Sequence, residues 1–142
     1  MRSVIGFLVV ALLLASGCGD GDGSTASDTP VELNGPFLGI AVVMGGTAYP
    51  PNTSYPIVFD LVQAGDTLTG SYNTADSNTP TSGTLAGTIA ERGFSFTLTE
   101  TVPCTGTFTG SATVSSSGIS FGGAYSGADC SGTTEAGFNV SQ

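Results

Sequence analysis

Few side chains in this sequence can do acid–base, nucleophilic or metal chemistry. There is no histidine and no lysine, and the basic residues are Arg2 and Arg92 against eleven acids. A serine nucleophile therefore lacks its usual imidazole base, and the serine–lysine variant is closed as well. Zinc centres are built largely from histidine and cysteine, and the cysteines are Cys18, Cys104 and Cys130. Two carboxylates can hydrolyse a glycoside, but Asp60, Asp66, Glu91, Glu100, Asp129 and Glu135 are scattered without a shared motif. Asp20, Asp22 and Ser24 have the spacing that opens a calcium loop. Thr25 then stands at the loop's glycine and Val31 at its bidentate glutamate, so the loop is incomplete. The residues point to a protein that is not an enzyme, with no catalytic residue, no cofactor and no metal site.

The elements that must position any remaining chemistry are strands. High Gly and Thr with few good helix formers argue against helices, and apolar residues alternate with period two. The alternation predicts eight strands: Phe37–Met44, Ile57–Gln63, Thr67–Tyr72, Thr84–Ile89, Phe94–Thr99, Thr107–Val114, Ile119–Tyr125 and Thr133–Val140. Expected inward residues include Leu68, Tyr72, Leu85, Ile89, Phe94, Phe96, Leu98, Phe108, Ala112, Val114, Ile119, Phe121, Tyr125, Ala136, Phe138 and Val140. Rows such as Thr107, Thr109, Ser111 and Thr113 face outward, where threonine suits strand packing. An apolar residue, any residue, then glycine recurs as Leu68–Gly70, Leu85–Gly87, Phe108–Gly110 and Phe121–Gly123. Each glycine falls on the inward face, where it permits tight bending or close backbone approach. The expected fold is all-β: an eight-stranded antiparallel up-and-down meander closed into a small barrel, with a two-sheet β-sandwich as the alternative.

The first residues read as an address. Met1-Arg2 precede the apolar run Val4–Ala15. As a helix this run reaches about 18 Å, short of a hydrocarbon core of about 30 Å, so it reads as a secretory signal. Ala15-Ser16-Gly17-Cys18 resembles the bacterial lipobox, with Ala15 where leucine is usual. The resemblance implies cleavage after residue 17, lipidation of Cys18 and anchoring to a membrane of the cell envelope. Gly19 stands where that sorting pattern uses aspartate for inner-membrane retention, which implies the outer membrane, on its periplasmic side or at the cell surface. Residues 18–33 are then a lipidated cysteine with a flexible acidic, Gly-rich tether, and 34–142 one barrel domain. The mature chain keeps eleven acids against Arg92, a net charge of −10. Binding to nucleic acid needs Lys and Arg on phosphates and is excluded; attraction to anionic headgroups is excluded likewise.

In a meander the odd connections share one end and the even ones the other. The second, fourth and sixth are tight (64–66, 90–93, 115–118), and the last two are expected to close on a left-handed glycine. The first and third, 45–56 and 73–83, are long and contain proline. Cys104 and Cys130 fall in the fifth and seventh, hence at the same end as the long loops. In an exported chain such a pair is expected to form a disulfide. The last inward positions toward this open rim are read as Met44, Tyr72, Glu100 and Tyr125, and the first loop adds Tyr49 and Tyr55.

Eight antiparallel strands with one open rim resemble the calycin architecture of lipocalins and avidins. Gly35-Pro36-Phe37 stands where those groups often carry Gly-x-Trp, and the chain has no tryptophan, which speaks against an avidin-like biotin site. The expected function is a lipid-anchored, non-catalytic module that binds a small ligand or glycan at the rim, through Met44, Tyr49, Tyr55, Tyr72, Glu100 and Tyr125. The alternatives are a protein-interaction or inhibitor lipoprotein, and a surface-coat protein without a specific ligand.

Overall fold

A computed structural model describes residues 31–75 and 80–142. The signal segment, Cys18 and the tether up to residue 30 lie outside the described residues. Eight strands follow in chain order: β1 (Gly35–Gly46), β2 (Ser54–Ala64), β3 (Thr67–Thr74), β4 (Thr81–Ala90), β5 (Gly93–Val102), β6 (Gly106–Val114), β7 (Ser120–Asp129) and β8 (Gly132–Ser141). Each pairs antiparallel with its neighbour, and β8 returns to β1 to close the barrel. The meander barrel is therefore the observed fold, and closure leaves no free strand edge.

The interior is solid. Phe37, Phe59, Phe94, Phe96, Phe121 and Phe138 are all buried. Their rings meet at 4.9 Å (Phe37–Phe121), 5.2 Å (Phe94–Phe121) and 5.3 Å (Phe59–Phe138) in tilted and edge-on contacts, the arrangement that ring quadrupoles favour. The inward glycines make room for these rings. A β-carbon on Gly123 would strike the Ser111 carbonyl, and one on Gly110 would lie 2.5 Å from the Phe96 ring. Phe96 pairs across the sheet with both Gly87 and Gly110, so one large ring covers two glycines.

Both ends of the domain lie at the closed end. Leu33 is fully buried there, with Val31 packed against the core, and the Leu33 N–H donates to Gln63 Oε1 at 2.8 Å. Val31 and Leu33, which composition alone assigns to the tether, thus pack on the barrel. Ile119, expected to face inward, is a correction. It is 57% exposed and lies just before β7, because the chain leaves the alternating face where the 115–118 turn begins.

The tight turns differ from expectation in detail. Gly118 is left-handed (φ 75°), but in the β4–β5 turn Glu91 (φ 56°) takes that conformation and Gly93 pairs with Ala90. The outer wall of β1 is apolar, with Leu38, Ile40, Val42 and Met44 exposed.

Candidate binding pocket at the open end of the barrel

The strand alternation carries past the apolar core toward the open end, and there it turns polar. On β3, Leu68 and Tyr72 lead to Thr74; on β5, Phe94, Phe96 and Leu98 lead to Glu100; on β8, Phe138 and Ala136 lead to Thr134. All of these are buried. β4 contributes buried Thr81, β7 brings Tyr125 and Asp129, and β2 opens with buried Tyr55. Together with Tyr49, Leu98 and Phe108, these side chains line one pocket. Its cavity is about 30 Å³, room for one or two water-sized groups.

Hydroxyl pairs brace the ring. Tyr55 and Tyr125 share a hydrogen bond of 2.6 Å, and Thr74 and Thr81 one of 2.8 Å. Tyr49 meets Tyr55 in a tilted contact with ring centroids 6.1 Å apart. Burial, then nearby acidic and phenolic groups, raises the Tyr72 and Tyr125 hydroxyls well above the ordinary phenol range. Both therefore remain neutral donors at physiological pH.

Glu100 is the centre of this ring, at 3% exposure. The Tyr72 hydroxyl donates to its Oε2 at 3.3 Å, while its buried Oε1 has no hydrogen-bond partner. Burial first, and then the charge of Asp129, pushes the Glu100 carboxyl up to about 7; the Tyr72 bond opposes this, and a hydrogen bond shared with Asp129 adds to it. A register shift follows at once: Gly83 pairs with Glu100 but Ser82 with Val102, so Thr101 is the extra residue of a β-bulge. Bulges at barrel rims commonly re-aim side chains.

Asp129 is held by its own turn. Its Oδ1 accepts from the Ser131 N–H at 2.7 Å, the Ser131 hydroxyl at 2.6 Å and the Gly132 N–H at 3.2 Å. One oxygen from each of Glu100 and Asp129, with Cys104 Sγ, falls within 4.8 Å of one another. That sulfur is bonded to Cys130, so it offers no thiolate. The expected disulfide is present, and it staples the β5–β6 connection to the β7–β8 turn beside both acids. No protein-family model matches this chain, and no curated protein matches it.

Five of the six rim residues read from the sequence meet here: Tyr49, Tyr55, Tyr72, Glu100 and Tyr125. Met44 does not. It is 52% exposed on the outer wall. The inward series on β1 runs Phe37, Ala41, Val43, and Met44 is the extra residue of a bulge between Val43 and Gly45. Asp129, Thr74, Thr81 and Thr134 are absent from the sequence-derived rim. Extending each strand's alternation by two or four residues toward the rim would have found all four.

Chemically, the pocket is rich in acceptors. A buried carboxylate oxygen without a donor costs at least about 1–3 kcal/mol. It is relieved by a proton, by a donor from a ligand, or by a cation.

Proposed function

We propose that this chain is a non-catalytic binding domain of the cell envelope, held by a lipid on Cys18, that takes the donor-bearing end of a small ligand or glycan in the open end of its barrel. The observation that carries this reading is the unpartnered, buried Oε1 of Glu100 inside a ring of hydroxyls. Everywhere else the barrel is filled with apolar side chains, so a buried acid at this end is costly unless something meets it. A sugar hydroxyl or an amine is a donor of the right size for the cavity. The rest of such a ligand would lie across the rim, against Tyr49.

The direction of the domain supports the same reading. Val31 and the end of the last strand lie at the closed end, so a tether leaving there would turn the open end away from the membrane. A second reading, recognition of a protein, is favoured by the first loop. Thr47 and Ala48 N–H groups both donate to the Thr133 carbonyl, and Asn52 N–H donates to the Val43 carbonyl. These bonds hold Pro50 and Pro51 as a fixed, exposed corner.

Thermal denaturation of the mature chain carrying Cys18→Ser, against monosaccharides, short glycans and amines, tests the proposal. A ligand at 100 times its Kd adds about 2.7 kcal/mol. The expected rise in Tm disappears in Glu100→Gln. If no such compound shifts Tm while a protein partner is retained on the immobilised domain, the small-ligand reading fails and the second one stands.

A further inference from the structure

We propose that the Glu100–Asp129 pair is the binding site of one hard divalent cation, calcium in preference to magnesium. The inference rests on the reading that this pocket is the binding site, and it names a different occupant from the sugar or amine proposed above.

Several independent features meet at this place. Glu100 is buried to 97% of its surface and lines the pocket, and no donor group of the protein satisfies its buried Oε1. The Asp129 carboxylate stands within 4.8 Å, and three donors on its Oδ1 fix its orientation. Two ionised carboxylates this close repel each other, and protein charge does not offset them. Arg92 is the one cationic side chain among the described residues, in the β4–β5 turn at the opposite end of the barrel. The cavity of about 30 Å³ accepts an ion and little else.

The donor set decides the class of ion. Every polar side chain lining the cavity offers only oxygen: two carboxylates and the hydroxyls of four tyrosines and three threonines. With no imidazole in the chain and Cys104 tied up in a disulfide, soft and borderline metals lack their ligands, and oxygen donors suit calcium and magnesium. Magnesium demands near-ideal octahedral geometry and keeps several waters, whereas calcium accepts irregular oxygen shells at 2.3–2.6 Å. Hydroxyls from five different strands with room for very few waters fit the second description.

The test uses the mature chain carrying Cys18→Ser, stripped with EDTA. All four tyrosines lie on β2, β3, β7 or the first loop at the open end, and the chain has no tryptophan. Terbium bound at Glu100 would therefore be excited through tyrosine. The expected result is tyrosine-sensitised terbium emission that saturates at one ion per chain. Calcium should displace the terbium at a concentration at least tenfold lower than magnesium does, and should raise Tm. Glu100→Gln and Asp129→Asn should each weaken binding at least tenfold, while Asp66→Asn at the closed end leaves it unchanged. Glu100→Gln removes a buried charge without changing volume, and the unliganded Tm shows that it has folded. Absence of terbium emission and of any calcium effect on folded protein overturns the proposal and leaves a proton between the two acids. Binding that survives both substitutions also overturns it, by placing the ion on exposed acids. A calcium effect without any glycan or amine effect removes the reading under Proposed function and keeps this one; the converse result removes this one alone.

Discussion

Glu100 on β5 and Asp129 on β7 approach each other across Gly106 of β6. Glu100 pairs with Gly106 in the sheet, and a β-carbon on Gly106 would lie 2.6 Å from the β-carbon of Asp129. The bare backbone of that residue lets two acids from non-adjacent strands share one pocket.

Gly106→Ala is therefore expected to push Asp129 out of place. Overpacking of this kind costs about 1–3 kcal/mol. Urea denaturation would show the loss, and terbium emission under tyrosine excitation should fall with it. A variant as stable as the parent, with unchanged emission, would show that the β6 backbone is not what holds the pair together.

The Glu100 carboxyl gives a pH dependence of definite sign. Its ordinary value of 4.5 is raised to about 7 in the folded chain. Between these values the folded state keeps a proton that the unfolded state has lost, so stability falls as pH rises through this window. The full effect is at most about 3–4 kcal/mol, since one unit corresponds to about 1.4 kcal/mol, and the pocket's opening to solvent reduces it. Glu100→Gln should flatten this part of the profile, measured in EDTA by chemical denaturation between pH 4 and 8. Parallel profiles for parent and variant would refute the assignment.

The disulfide joins residues 26 apart in sequence. Replacing both Cys104 and Cys130 by serine should cost about 3 kcal/mol through the longer leash given to the unfolded chain. Because the bridge stands beside both acids, the same variant should bind terbium more weakly. Loss of stability with undiminished terbium affinity would separate the staple from the pocket.

At the closed end, Glu91 carries a left-handed backbone (φ 56°) that crowds its β-carbon. Glu91→Gly should raise stability by about 0.5–1 kcal/mol, a rise in Tm readable by calorimetry. The variant also removes one of the chain's many negative charges, so the gain should persist at high salt if it arises from backbone strain. A gain that salt abolishes would assign it to charge instead.

Much of this molecule is written in local pattern. Alternation from Phe94 to Leu98, or from Leu68 to Tyr72, tells which side chains point inward, because successive residues of a strand face opposite sides whatever surrounds them. The parity of the connections was enough to bring Cys104 and Cys130 to the same end, since a meander reverses direction at every turn. The same rule, carried a few residues further, reaches Thr74, Thr134 and Asp129. Counted from Phe37, it puts Met44 on the outer wall with Leu38, Ile40 and Val42; it does not carry past Thr101, where a bulge inserts a residue, nor does it foresee that Leu33 plugs the closed end. Bulges and plugs answer to the whole barrel, to its closure and to the space left between facing strands. The meeting of Glu100 with Asp129, and the smallness of the pocket they share, belong to that level too. Both depend on the stagger of eight strands around a ring and on how seven phenylalanines fill it, and no stretch of sequence holds that information by itself.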